Sequence, residues 1–384
     1  MESKKVLIRT TTIPGSMRGL LKGQLKFMSQ YYDVVAVTSG GPNYEIMLKE
    51  QCVRGYVVPF TRKTFSIGSD IKAFFNLIRI IRKERPFIVH SHTSKDGLLC
   101  MVAAWLCRVP HRLYTIAGLG DLSGIRGFVL NVSEWITFAC ATGIYPNSKN
   151  MMDIYLKKGM FKARKAKVLL NGSSNGIDLD YFDEKQVSKV EIAAIREQFG
   201  CDEETIMFVF VGRVTGDKGV NEMIQAFGMV HKECKNAKLL IVGHYEKELD
   251  PISSESTHEI ETNPNIVFAG FQSDVRPYIL AADTLILPSY REGMPNVVMQ
   301  AGALNRPCIV TNINGSNEII IDGVNGNIVP RKDTVALYNQ MKYYCEHKDE
   351  VKAMGEKSRD LIAKRYKRQD IWCALLKEYQ SFEK

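Results

Sequence analysis

The chain has 384 residues, 45% hydrophobic and 24% charged, the balance of an ordinary globular protein with length enough for two domains, so disorder and fibrous structure are not indicated. Its net charge of +9 is uneven: residues 1–170 hold 26 Lys and Arg against 10 Asp and Glu, whereas residues 171–384 hold 25 against 32. The basic half has no basic stripe interleaved with aromatics, so its expected anionic partner is a membrane surface or a phosphate-bearing acceptor, and nucleic acid is not expected.

In chain order, short β-branched apolar runs alternate with helical periodicity. Strands are expected at 4–10, 33–39, 56–60, 87–92, 112–117, 143–148 and 166–171. Helices are expected between them at Met17–Gln30, Asp70–Arg82, Lys95–Cys107 and Arg126–Cys140. A Gly, Ser and Asn-rich connection, Asn171–Gly176, reads as a hinge or as an ordinary surface loop. Strands resume at 205–212, 237–243, 265–271, 284–289 and 308–313. Such alternation predicts α/β architecture, two doubly wound Rossmann-like domains facing each other across a cleft. The boundaries we expect are 1–172 and 173–365, with a C-terminal helix over 366–384 packing back on the first domain. In open α/β sheets ligands bind beyond the carboxyl ends of the strands, so the loops there are the place to look.

The opening MESKKVLIRTTT is too short and too polar for a signal peptide, and Leu98–Cys107 is about half of a membrane span. A cytoplasmic protein without a transmembrane helix is expected. Nine scattered cysteines with no CxxC read as reduced thiols, and the seven histidines form no HExxH, so no metal site is expected.

The strongest local signal is Gly212-Arg213-Val214-Thr215-Gly216-Asp217-Lys218-Gly219, where a buried strand enters a glycine-containing loop and then a helix. Two cations and a helix N-terminus suit a diphosphate; the plainer reading is a solvated loop with two surface charges. The second is Glu292-Gly293-Met294-Pro295-Asn296-Val297, again strand to loop to helix, with Gln300 eight residues after Glu292. A carboxylate there can accept from sugar hydroxyls and the amides can donate to phosphate, or Glu292 simply caps the helix start. In the first half, His92 and Lys95 follow a strand end and could face an acceptor or cap the loop. Asp70–Arg85 is amphipathic and strongly basic, a core helix with a solvated face or a helix that rests on a membrane.

These residues resemble the retaining nucleotide-sugar glycosyltransferases of family 4, with the two-domain fold called GT-B. The resemblance is carried by Gly212-Arg213…Lys218-Gly219, Val242-Gly243, Gly270-Phe271-Gln272-Ser273-Asp274 and Glu292-Gly293-Met294-Pro295…Gln300, and more loosely by Gly15, His90-Ser91-His92 and Pro146-Asn147-Ser148. It implies a hexosyl- or N-acetylhexosaminyltransferase of surface-polysaccharide biosynthesis. Arg213 and Lys218 would hold the donor diphosphate, and Glu292 with the 293–297 backbone the transferred sugar. Residue 300 would meet the ribose, Gly15 would admit a loop to the phosphates, and Gly243, Phe271 and Gln272 would border the base. The implied donor is a UDP-sugar, with GDP-mannose the alternative. No metal or other cofactor is implied, and the acceptor is a glycan or a lipid-linked diphosphate at the inner membrane face. Two departures stand out: the second Glu of the family pattern is Gln300, and Ala117-Gly118 stands where members often carry His. Two other classes stay open: a nucleotide-sugar 2-epimerase on the same fold and, because of these departures, a binding module that has lost catalysis.

Overall fold

The computed structural model describes residues 4–61, 66–118, 124–246 and 250–384. They form two compact units, Met1–Asn175 with Gln369–Lys384, and Gly176–Arg368.

In the first unit the strands are β1 (Val6–Thr10), β2 (Asp33–Thr38), β3 (Arg54–Val57), β4 (Ile88–Ser91), β5 (His111–Ile116) and β6 (Gly143–Pro146). All pair in parallel, in the order β3-β2-β1-β4-β5-β6. The helices are α1 (Pro14–Leu20), α2 (Gln24–Met28), α3 (Tyr44–Gln51), α4 (Ile67–Glu84), α5 (Ser94–Leu106), α6 (Gly124–Cys140) and α7 (Lys149–Lys157). Period-two alternation along β1 sends Leu7 and Ile8 into different cores. Ile8 joins Leu77, Met101 and Phe138 of α4, α5 and α6. Leu7 joins residues of α1, α2 and α3 on the other face.

The second unit repeats the plan. Its helices are α8 (Lys189–Gln198), α9 (Val220–Glu233), α10 (Ser254–Thr262), α11 (Arg276–Ala281), α12 (Asn296–Ala303), α13 (Ser316–Ile319), α14 (Thr334–Glu346) and α15 (Lys348–Tyr366). Its strands are β7 (Ile206–Val211), β8 (Ala237–Val242), β9 (Ile266–Gly270), β10 (Thr284–Leu287), β11 (Cys308–Thr311) and β12 (Gly326–Val329), in the parallel order β12-β11-β10-β7-β8-β9. The central β7 reads IMFVFV and is buried almost throughout, as a strand covered on both faces must be. The last helix, α16 (Arg368–Ser381), returns to the first unit, where Leu375, Leu376 and Tyr379 complete the core that holds Leu7.

Three expectations need correction. Residues 166–171 make one isolated bridge, Ala166 to Ile144, and no strand: Leu170 takes a left-handed φ of 52° and turns the chain away. The helix expected over Met17–Gln30 is two short helices, broken where Gly23 takes φ 79°; a Cβ there would lie 2.9 Å from the Trp372 ring. The sixth strand of the second sheet, β12, is four residues of mixed polarity and lies outside the strands expected from the sequence.

Candidate active site

The loops after β7, β8, β10 and β11 meet at the carboxyl end of the second sheet. After β7 the chain makes a single 3-10 turn over Gly216–Lys218 and enters α9 at Gly219. Gly219 has φ 70°, and a Cβ would fall 2.1 Å from the carbonyl oxygen of Pro288, so only glycine lets this loop lie against the one after β10. The Tyr290 amide then donates to the Asp217 carbonyl at 2.8 Å. On the other side Gly315 (φ 78°) brings the loop after β11 against Gly293, and the Asn314 amide donates to the Glu292 carbonyl.

This packing joins the two sequence motifs. Lys218 Nζ lies 2.5 Å from Glu292 Oε1, with the two side chains 17% and 14% exposed. Arg213 is more open and pairs with Glu246 at 2.9 Å. Asp217, which sequence reasoning passed over, sits among these cations. Thr215 Oγ1 donates to it at 2.7 Å, and Arg291 approaches its other oxygen at 3.2 Å. Burial alone would raise its pKa, but the Thr215 hydrogen bond and the charges of Lys218, Arg291 and Arg213 hold it below the ordinary value. Asp250 completes the loop by accepting from the Asp217 amide at 2.6 Å. Asp217 lies inside the motif and could have been found there. Asp250 and Asn314 lie in distant loops with no local signal.

The rest of the expected donor set surrounds these groups. The Gly212 and Gly243 amides extend the β7–β8 and β8–β9 ladders to Val242 and Gly270, at 2.9 and 2.8 Å. Phe271 is 70% exposed, with its ring 6.2 Å from His244, and the Gln272 amide is tied back to the Ala269 carbonyl at 2.8 Å. Met294 and Pro295 are buried, Asn296 is exposed, and Val297 and Gln300 are half-buried on α12. Pro295 is the N-cap of α12 and supplies no side-chain acceptor, so the first-turn amides have no capping partner from that residue. The set thus offers two cations, a carboxylate and a helix N-terminus at one sheet edge, a combination that can hold a diphosphate and accept from sugar hydroxyls.

In the first unit, Gly15 is exposed on α1, and a Cβ there would meet only Ile13 at 3.8 Å. Lys95 pairs with Asp70 at 2.9 Å and donates to Thr61 at 2.8 Å. His92, expected either to face an acceptor or to cap its loop, is buried at 2% exposure, and its Nε2 accepts from the fully buried Arg9 at 2.7 Å. It follows β4, which lies between β1 and β5, where neighbouring strands and α16 close over side chains. Ala117, just beyond β5, is half-buried and offers no side-chain polar group.

The profile of the Glycosyl transferases group 1 matches residues 191–361, and that of the Glycosyl transferase 4-like domain matches residues 26–172. A capsular polysaccharide biosynthesis glycosyltransferase of Staphylococcus aureus, CapM, is 30% identical over 370 residues, 95% of this chain and 94% of that protein. The Escherichia coli UDP-Gal:alpha-D-GlcNAc-diphosphoundecaprenol alpha-1,3-galactosyltransferase is 28% identical, over 76% of this chain and 75% of its own. Among solved structures, Anabaena HepE in complex with UDP and glucose superposes with a TM-score of 0.81 at 16% identity, over 98% of this chain and 100% of that one, a likeness of fold. The fold is GT-B, and the chain belongs to glycosyltransferase family 4.

Proposed function

We propose that this glycosyltransferase moves a sugar, with retention, from a UDP-sugar to a glycan or lipid-linked diphosphate acceptor in surface-polysaccharide assembly. The observation that carries the reading is the Lys218–Glu292 pair, clasped between the two motif loops. Lys218, Arg213 and the first-turn amides of α12 meet the donor diphosphate and stabilise the charge that grows on it as the glycosidic bond breaks. Glu292 is oriented by Lys218 at its carboxylate and by Asn314 at its carbonyl, and accepts from hydroxyls of the transferred sugar. Gln300 faces the ribose hydroxyls, and Phe271 and Gln272 border the base. Protein cations supply the charge, so no metal is required, and a chelator should leave the rate largely intact. Full loss restored by manganese or magnesium would overturn that point.

The lipid-linked acceptor is supported by the name of the E. coli relative, which acts on a diphosphoundecaprenol-linked sugar. Among the described residues no helix is long and apolar enough to cross a membrane, so contact with such a substrate would be peripheral. α4 suits it, with Phe75 64% exposed and Arg79, Arg82 and Lys83 also at the surface. The test is a panel of nucleotide sugars screened by thermal shift, because a ligand of the folded state raises its stability. Product analysis with and without a lipid-diphosphate acceptor follows. A UDP-sugar should stabilise the protein and be consumed into acceptor. Epimerised sugar released without acceptor, or no stabilisation by any nucleotide sugar, would sink the reading.

A further inference from the structure

The loops that gather at the donor site hold their cations in pairs. Among the described residues, the loops after β7, β8, β10 and β11 carry three cations, Arg213, Lys218 and Arg291, and four carboxylates, Asp217, Glu246, Asp250 and Glu292. Such a set has no net positive charge with which to draw a diphosphate. Each cation is also taken: Lys218 by Glu292, Arg291 by Asp217 and Arg213 by Glu246. The charge available to an anionic ligand therefore depends on which carboxylate can give its cation up.

Two of the pairs are built in. Lys218 and Glu292 are both well covered, and Asn314 holds the Glu292 carbonyl. Asp217 is covered as well, and Thr215 Oγ1 donates to it at 2.7 Å. Arg213 and Glu246 are 44 and 24% exposed, the most open of the three pairs. Among the described residues the Glu246 carboxylate has no other hydrogen bond or ion pair. An ion pair open to water is held by little. The backbone beneath it is fixed: the Val214 amide donates to the His244 carbonyl at 2.9 Å, and Val214 bridges Tyr245 in parallel. Pairing between β7 and β8 thus runs on past both strands and sets Glu246 beside Arg213.

We propose that Glu246 is an exchangeable counter-ion for Arg213, holding the guanidinium at the donor loop in the free enzyme and yielding it to the diphosphate of the donor. The inference rests on the donor-site reading above and adds to it a residue outside both motifs. A guanidinium meets carboxylate and phosphate oxygens with the same planar fork, so one anion can replace the other on the same nitrogens. The displaced carboxylate is already part-hydrated and passes into water at small cost. Neither other pair can exchange so readily, because its carboxylate is covered and held a second time. Glu246 competes with donor and UDP product alike, so its effect falls on binding rather than on bond breaking.

The test is isothermal titration calorimetry of the full chain with three probes: UDP, inorganic pyrophosphate and uridine. Glu246→Gln keeps the side-chain shape and removes the charge. It should bind UDP and pyrophosphate about fivefold more tightly than the wild type at low salt, with the gain shrinking as salt rises and uridine unaffected. Glu246→Ala should reproduce the gain, which separates it from any contact made by the new amide. In an Arg213→Gln background the same change should give about twofold or less, because only repulsion through space is then relieved. Glu356→Gln, an exposed carboxylate on α15, should change nothing. The pair is open to solvent, so thermal midpoints should be kept. Unchanged UDP and pyrophosphate affinity in both Glu246 variants, or an equal gain with and without Arg213, would overturn the assignment. So would a variant that loses uridine and UDP but keeps pyrophosphate, which would make Glu246 a contact to the nucleoside, and so would binding of neither anion by any form. A failed donor reading shows differently: UDP would bind no better than pyrophosphate in the wild type, while the gain in Glu246→Gln would stand.

Discussion

Lys218 and Glu292 are each more than four-fifths covered, so removing the ammonium takes a cation from the donor site and strands a carboxylate as well. Lys218→Ala should lower kcat/KM a hundredfold or more, about 3 kcal/mol of transition-state stabilisation. Arg213→Ala should act in the same sense with little change in Tm, because its ion pair with Glu246 is open to solvent. Steady-state kinetics with a saturating acceptor decide it, and near-wild-type rates in both variants would remove the donor-site assignment. A different residue governs the pH response of the first unit. Asp96 is fully buried and accepts from Thr10 at 2.6 Å, Thr12 at 3.2 Å and Thr93. Burial pushes its pKa up to about 6, and the threonine hydroxyls hold it from rising further. A carboxyl whose folded pKa is raised contributes stability that is present below its unfolded value, near 4, and lost as pH rises through 6. The difference is about 3 kcal/mol. The neighbouring His90 and His92 pull the other way, because burial lowers their pKa values and acid must charge them. Denaturant titrations of wild type and Asp96→Asn at pH 4 to 7 isolate the carboxyl. The wild type should lose stability relative to the variant across that window, and parallel curves would refute the assignment.

At the scale of elements, long apolar strands announced themselves and contact-made features did not. β7, β8 and β10 read IMFVFV, AKLLIV and TLIL, apolar but for Lys238 and Thr284, so their place and type were legible. Among the described residues β12, which reads GNIV, pairs only with β11, and nothing in four mixed residues distinguishes an edge strand from a loop. The break at Gly23 is likewise set by a ring from residue 372. The donor loops divide in the same way. Arg213, Lys218 and Glu292 stand in spaced motifs, whereas Asp250 and Asn314 matter only because loops far apart in the chain fold onto those motifs. Gly219 tests that clasp. Gly219→Ala places a methyl against the Pro288 carbonyl at a positive φ, and should cost roughly 2 kcal/mol or more of stability together with donor affinity. Gly228 in the adjoining α9 has no atom within 4 Å of its would-be Cβ, so Gly228→Ala should be neutral or stabilising by up to about 1 kcal/mol. Urea unfolding of the two variants separates them, and equal midpoints would mean the loops are not held together at Gly219.

For the whole molecule, the chain crosses from the first unit to the second at Asn175–Gly176 and returns at Arg368–Gln369, so the first unit is completed by residues that follow the whole of the second. α16 closes its core on the side of Leu7. Tyr379 is fully buried, its hydroxyl 2.5 Å from His90 Nδ1, and Trp372 Nε1 donates to Asn175 at 2.6 Å while its ring lies 5.2 Å from Phe27. Glu378 and Glu383 add polar ties to Tyr145 and Tyr32 at 3.1 and 2.8 Å. Uncovering Trp372, Leu375, Leu376 and Tyr379 forfeits roughly 2 kcal/mol for each side chain. The sum is comparable to the whole stability of an ordinary domain, about 5–15 kcal/mol. It would also leave the Arg9 guanidinium and two imidazoles open to water. Ending the chain after Arg368 should therefore unfold the first unit, while the second keeps its sheet and every residue of the donor set except Gly15. Amide hydrogen exchange read by mass spectrometry follows each unit separately. We expect protection to collapse across β1, β4 and β5 and to persist across β7, β8 and β10, with stabilisation by a UDP-sugar retained in the second unit. Protection of β1 and β4 unchanged by the truncation would show that α16 is an accessory to a core that is already complete.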